Sequence, residues 1–223
     1  MTEPSVEKIR LKISKDQLSD ETLICFNPAA SNQFDPAFDA EKLFNGHAEC
    51  PEIFSMADGH PLCINILAGG PVSVSLGVSY NQEDSLALTA FDSDGIPEET
   101  GIFLEDNKEG TWINMREQPV YRFYNNPFTP GSRFILHFMN VAGLTGQYPD
   151  DEIKFGSSQN GIFVMNPKNI RGDIFLYSID GRLLSRFEAG GVHQVIQPDV
   201  PVGLYILRFV SQEYYFGGKI FIY

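Results

Sequence analysis

Acidic side chains are the commonest potential reactants in this sequence, with 29 Asp and Glu against 16 Lys and Arg. Several stand close together: Asp35/Asp39, Asp92/Asp94, Glu98/Glu99 and Glu105/Asp106. Two carboxylates held at a fixed separation in a cleft can cleave a glycosidic bond. Sequence spacing does not set that separation, and acidic loops are usually just solvated. Asp92-Ser93-Asp94-Gly95 clusters oxygen ligands in a turn, and calcium takes such oxygens. Asp92 and Asp94 are therefore candidate cation ligands, with calcium as the candidate ion and no other cofactor expected. The EF-hand spacing fails, because Ala90 fills its first position and Gly101 its last.

Nucleophilic chemistry has weaker footing. It needs an activated Ser, Cys or Thr beside a base. His47, His60, His137 and His193 fall in no recognisable motif, and no G-x-S-x-G is present. His137 sits in the apolar run Phe134–Phe138 and reads as a strand histidine. The expectation is a chain that is not an enzyme. Trp112 is the only Trp, with Tyr121 as a possible partner in an aromatic platform for sugars. The commoner role for such a Trp is to anchor a sandwich core. Cys25, Cys50 and Cys63 form no even framework. Cys25 reads as a small buried hydrophobe, and a Cys50–Cys63 pair is left open.

The net charge of -13 is unevenly placed. Nine Lys and Arg face 21 Asp and Glu up to Tyr148, and seven face eight from Pro149 onward. The acidic half repels nucleic-acid phosphates and anionic membranes, so a nucleic-acid role is disfavoured. No apolar run reaches transmembrane length. Met1-Thr2-Glu3-Pro4 does not open a signal peptide.

Alternating apolar and polar residues dominate, which predicts strands throughout. Turn formers such as Asp58-Gly59, Gly69-Gly70-Pro71 and Asp94-Gly95 separate ten strand candidates before Asn140. One short helix is expected at Asp39–Phe44, capped by Asp39. Gly143 to Gln159 is rich in Gly, Ser, Gln and acids and reads as a linker. Seven further strand candidates follow, ending in Tyr214–Phe216 and Lys219–Tyr223. Asp180-Gly181 lies between apolar runs and predicts a type I′ hairpin. The expected fold class is all-β: a jelly-roll-like β-sandwich over 1–145, a link at 146–158, and a small immunoglobulin-like β-sandwich over 159–223.

The last third of the chain carries a family likeness. Gly172–Leu184, with Asp180-Gly181-Arg182 at its centre, resembles the "strand, Asp/Asn-Gly-Arg, strand" hairpin of C-terminal sorting domains of the Bacteroidetes type IX secretion system. Pro201-Val202-Gly203-Leu204-Tyr205 resembles their Pro-x-Gly-x-Tyr motif, and Lys219–Tyr223 resembles their Lys-led closing strand. Asn166-Pro167 only hints at their usual Asn-Pro segment, and Tyr223 stands where a basic residue is often found. Upstream, Phe34-Asp35 through Asp39-Ala40-Glu41-Lys42 resembles a segment of adhesin-like β-sandwich modules in Bacteroidetes surface proteins.

The resemblance implies a secreted or outer-membrane-surface protein. Asp180, Gly181, Arg182, Pro201, Gly203, Tyr205 and Lys219 would form its sorting motif. Its partners would be the type IX translocon and a surface processing protease that cuts in the linker. Glycans or a host surface are further candidate partners. Since export needs a signal peptide, the chain is expected to be a piece of a longer protein. The alternative reading is a carbohydrate-binding or adhesion module of a larger secreted enzyme.

Overall fold

The computed structural model describes residues 6–46, 49–70, 72–98, 100–126, 133–140, 153–158, 161–166, 168–212 and 215–223. The chain is all-β: eighteen strands and no helix occur among these residues, so no helix is long and apolar enough to cross a membrane. Contacts divide it into two units. One comprises Met1–Gly70, Val74–Glu98 and Ile102–His137; the other comprises Pro71–Ser73, Glu99–Gly101 and Phe138–Tyr223.

The first unit opens with β1 (Lys8–Lys15), whose residues alternate strictly. Ile9, Leu11 and Ile13 are buried while Lys8, Arg10 and Lys12 point outward. Each such apolar side chain stabilises the fold by roughly 1.5–3 kcal/mol. β1 pairs antiparallel with β2 (Leu18–Phe26) and with β7 (Asp84–Phe91), and β7 pairs with β10 (Val120–Asn125). On its other side β2 runs parallel to β5 (His60–Leu67). β5 is joined to β4 (Glu52–Ala57) by the two-residue turn Asp58-Gly59. Both turn residues have positive φ, 48° and 85°, which is the type I′ requirement. β4 then pairs with β6 (Val72–Ser79), and β6 leads to β11 (Phe134–Asn140). β8 (Thr100–Asp106) pairs with β11 and with β9 (Thr111–Asn114).

The helix expected at Asp39–Phe44 does not form. Asp39 does cap backbone, but not the start of a helix. Its Oδ1 accepts from the Ile66 amide at 2.8 Å and its Oδ2 from the Asp35 amide at 2.8 Å. The chain is thereby laid along β5, where Ala40–Glu41 makes the short strand β3.

The second unit is a two-layer sandwich. One layer holds β12 (Lys154–Ser158), β13 (Gly161–Met165) and β16 (His193–Ile196). The other runs β15 (Leu183–Ala189), β14 (Gly172–Ser178), β17 (Gly203–Val210) and β18 (Tyr215–Ile222). Phe155, Ile162 and Val164 from the first layer share one core with Ile174, Leu176, Leu207, Phe209 and Ile220 from the second. β12 lies inside the segment expected to be linker, because Ile153 and Phe155 complete this core. Most of the remaining linker expectation, residues 143–152 and 159, lies outside the described residues. The two final strand candidates form one continuous strand, β18, paired with β17 from Tyr215 to Ile222.

Asp39→Ala leaves the Asp35 and Ile66 amides without their charged acceptor. It is expected to lower stability by about 2 kcal/mol, in the range for hydrogen bonds to charged groups. A shift in the urea midpoint at unchanged slope would show it.

Candidate functional site

In the first unit, the sequence candidates are engaged with one another. Asp92 Oδ2 lies 3.0 Å from Lys8 Nζ and accepts from Arg10 Nε at 3.1 Å, and Asp94 lies 3.7 Å from the same Lys8. Lys8 and Arg10 are outward residues of β1, so alternation there supplies the counter-charge. Hydrogen bonding from Lys8 holds the Asp92 carboxyl below the usual carboxylate range. A calcium ion at this turn would have to displace both cations. Among the described residues no group of three or more His, Cys, Asp or Glu is arranged to hold a metal.

Trp112 and Tyr121 do not share a platform. Trp112 stacks on His137 with ring centroids 4.3 Å apart, and His137 Nε2 lies 2.9 Å from Glu105 Oε2. Trp112 pairs with Glu105 across β8 and β9, which puts both side chains on one face. The neighbouring Asp106 points to the opposite face. Glu105 and Asp106 therefore diverge and make no catalytic pair.

Asp106, which the sequence shows only as half of an acidic pair with Glu105, has a role its neighbours in the chain do not reveal. It is fully buried. Arg133 grips it through Nε at 2.9 Å and Nη2 at 2.7 Å, and the Tyr121 hydroxyl donates to its Oδ2 at 2.9 Å. The Arg133 guanidinium also lies over the rings of Phe123 and Phe134. Burial opposes ionisation of Asp106, but the Arg133 and Tyr121 hydrogen bonds outweigh it and lower its pKa. Burial, then the bond to Asp106, pushes the Tyr121 hydroxyl up to about 12. Besides its pairing with Glu105, the sequence signal was an Asp closing an apolar strand.

The Phe34–Lys42 segment is a docking device. Phe34 stacks on His60 at 4.0 Å, and its amide donates to Asp58 Oδ2. Lys42, with its side chain only 6% exposed, pairs with Asp20, which also accepts from the Ile53 amide. All three thiols are unpaired, so Cys50 and Cys63 form no disulfide. Cys63 Sγ faces the Ala40 and Glu41 carbonyls, and Cys50 Sγ faces the Ser19 and Pro51 carbonyls. Of the other histidines, His47 lies outside the described residues.

In the second unit, the three motif segments are brought together on one sheet. The β14–β15 hairpin turns through Ile179-Asp180-Gly181. Only Gly181 has positive φ, at 86°, so the turn is not type I′. The Gly181 amide donates to Ser178 O at 2.9 Å, and the Ser178 amide to Arg182 O at 2.9 Å. That is a type I turn followed by a left-handed residue, the three-residue hairpin form. The Ser178 hydroxyl bonds Asp180 and Arg182, which ties the turn to its strands.

Pro201 to Tyr205 encodes a tyrosine corner. The Tyr205 hydroxyl donates to Pro201 O at 2.6 Å, and the ring is buried in the core. Gly203 was expected to allow close approach or a turn. Its φ is not positive, and an added Cβ would meet the Tyr205 ring at an ordinary 3.6 Å. Gly161, absent from the motif, is tightly constrained: its φ is 123°, and a Cβ there would lie 2.4 Å from Ile196 O. So is Gly172 at the start of β14, where a Cβ would lie 2.5 Å from Val210 O. Lys219 is exposed and sits opposite Ile206 on β17. Asn166 replaces the expected Asn-Pro signal with a buried loop clamp, exchanging hydrogen bonds with Ile170 N and O at 2.8 Å; Pro167 lies outside the described residues.

The chain belongs to the family described as a domain of unknown function (DUF8693), which matches residues 2–138. Comparison with the curated proteins gives no match, and comparison with the solved structures gives none.

Two sets of variants test these assignments. Asp106→Asn strands a buried guanidinium and is expected to cost about 3–5 kcal/mol. In the parent, the lowered Asp106 pKa gives stabilisation that is full above the ordinary aspartate value of about 3.9 and lost as pH falls through the folded value. Urea midpoints measured against pH should show this acid limb flattened in the variant. Tyr205→Phe should cost about 1 kcal/mol. Gly161→Ala should cost about 1–3 kcal/mol from its backbone conformation, and Gly203→Ala should be close to neutral. Thermal melts of the three rank them.

Proposed function

We propose that this DUF8693 member is a non-catalytic exported or cell-surface protein whose C-terminal unit is the sorting domain of a type IX secretion system. The observation carrying the reading is convergence. Asp180–Arg182 turns between β14 and β15, Pro201–Tyr205 leads into β17, and Lys219–Tyr223 closes β18, so segments apart in sequence meet on adjoining strands of one sheet. The DUF8693 match ends at residue 138, where the contact division also falls after His137. Cargo and sorting signal are then separate units, with the processing protease acting in the segment between β11 and β12. Most of the negative charge belongs to the cargo.

In the cargo unit, Trp112 and Tyr121 are engaged by His137 and Asp106. That favours a passive surface module over a sugar platform at these residues. The diverging Glu105 and Asp106 favour a non-catalytic role.

The test is a fusion of an export leader and a reporter ahead of the whole chain, expressed in a type IX host. Surface or medium localisation is expected, with retention in the periplasm when the chain stops at His137. A fusion beginning at Gly156 is unsuitable, because it removes Ile153 and Phe155 from the core. Periplasmic retention of the whole-chain fusion, beside export by an established sorting domain, would defeat the proposal.

A further inference from the structure

In the sheet β15-β14-β17-β18, one face is the buried core and the other is left to solvent. Register places the outer residues in rows. Arg186, Phe175, Arg208 and Gly217 stand side by side; Leu183, Tyr177, Ile206 and Lys219 form the next row, followed by Leu204 and Phe221. On the other side of the first row lie Glu188, Asp173, Val210 and Tyr215. Tyr215 is 66% exposed, Leu204 45% and Phe221 41%. Four such rows span about 20 Å along the strands, at two residues per row.

The charged groups are set among the rings. Arg208 lies 5.3 Å from the Tyr177 ring centre and 5.9 Å from that of Tyr215. Arg186 lies over Phe175 and forks onto Asp173 at 2.9 Å through two bonds. Among the described residues of these rows, Arg208 and Lys219 are the outward cations not held by a carboxylate. At the Tyr215 end, the face runs into an open cleft of about 720 Å³ lined by Asn169, Arg171, Asp173, Arg186, Glu188 and Gln212 among others.

The geometry points to a binding face for an acidic polysaccharide on the outer side of this sheet. Exposed aromatic faces stack on the apolar sides of sugar rings while their edges and tips stay polar. Arg and Lys beside the rings supply donors for uronate carboxylates, Arg in a planar fork. The polar end cleft supplies donors and acceptors for hydroxyls. Charge selects among occupants: cations and aromatics are gathered here on a chain of net charge -13. Rows of rings and cations across a sheet face suit an extended glycan better than a helix, which needs a groove. This inference is independent of the export route.

The test uses the whole chain in affinity electrophoresis and calorimetry with polygalacturonate, neutral galactan and dextran sulfate. Binding to polygalacturonate above galactan is expected. Arg208→Gln with Tyr215→Ser should weaken it about tenfold, the loss of one charged and one stacking contact. Arg122→Gln, which removes an exposed charge from the first unit, should leave it unchanged. Melting curves confirm that the exposed substitutions leave the fold intact. No binding to polygalacturonate, equal weakening by Arg122→Gln, or equal binding to dextran sulfate with Tyr215→Ser silent would each overturn it. So would concentration-dependent self-association that the double variant abolishes, since the face would then bind the acidic unit of a second copy.

Discussion

A strand presents its side chains alternately to two faces, and β17 cannot escape that rule. Its even side, Leu204, Ile206, Arg208 and Val210, faces outward. Its odd side, Tyr205, Leu207 and Phe209, fills the core of the C-terminal sandwich. β14 and β18 pair with β17 on either side, so their registers follow from it. The buried Tyr205, the exposed Lys219 opposite Ile206, and the row of aromatics and arginines on the solvent side are consequences of one alternation. A slip of one residue would exchange the two sets.

The small core explains why so many local devices accompany it. A unit of this size buries limited apolar surface, so individual ties carry a larger share of stability. The Tyr205–Pro201 bond closes the approach to β17, the Ser178 hydroxyl fastens the β14–β15 turn, and Asn166 clamps the loop before β14. Motif residues that would be read as a signal thus also hold the domain together. The two roles are compatible, because a recognition surface has to be presented by a rigid fold.

The first unit uses its reactive side chains differently. Asp92 and Asp94 are matched by Lys8 and Arg10, Glu105 by His137, Asp20 by Lys42, and Asp106 by Arg133 and Tyr121. Buried charge is costly unless paired and hydrogen-bonded, and Asp106 is satisfied on both counts. The Phe34–Lys42 segment shows the same economy. Its aspartates accept from the backbone amides of Asp35, Ala37 and Ile66, which lays an irregular chain along β5.

The all-β class was legible because alternation survives without any knowledge of partners: Ile9, Leu11 and Ile13 declare a face by themselves. The Asp58-Gly59 and Asp180-Gly181 turns were legible as turns, but their types were not. Type depends on how many residues the flanking strands leave unpaired, and those strands pair only in three dimensions. The helix at Asp39–Phe44 failed because a capping aspartate is equally suited to bind the Ile66 amide of a distant strand. Gly203 looked constrained from its motif, whereas steric limits fall on Gly161, against Ile196 O, and on Gly172, against Val210 O. The sequence by itself determined the strand character, the uneven charge and the likeness in the last third. Tertiary structure alone decided that Asp106 is buried against Arg133, that β2 runs parallel to β5, and that aromatics and cations meet on one outer face. Each of those rests on contacts between residues far apart in the chain, and no local pattern encodes which distant strand will lie alongside.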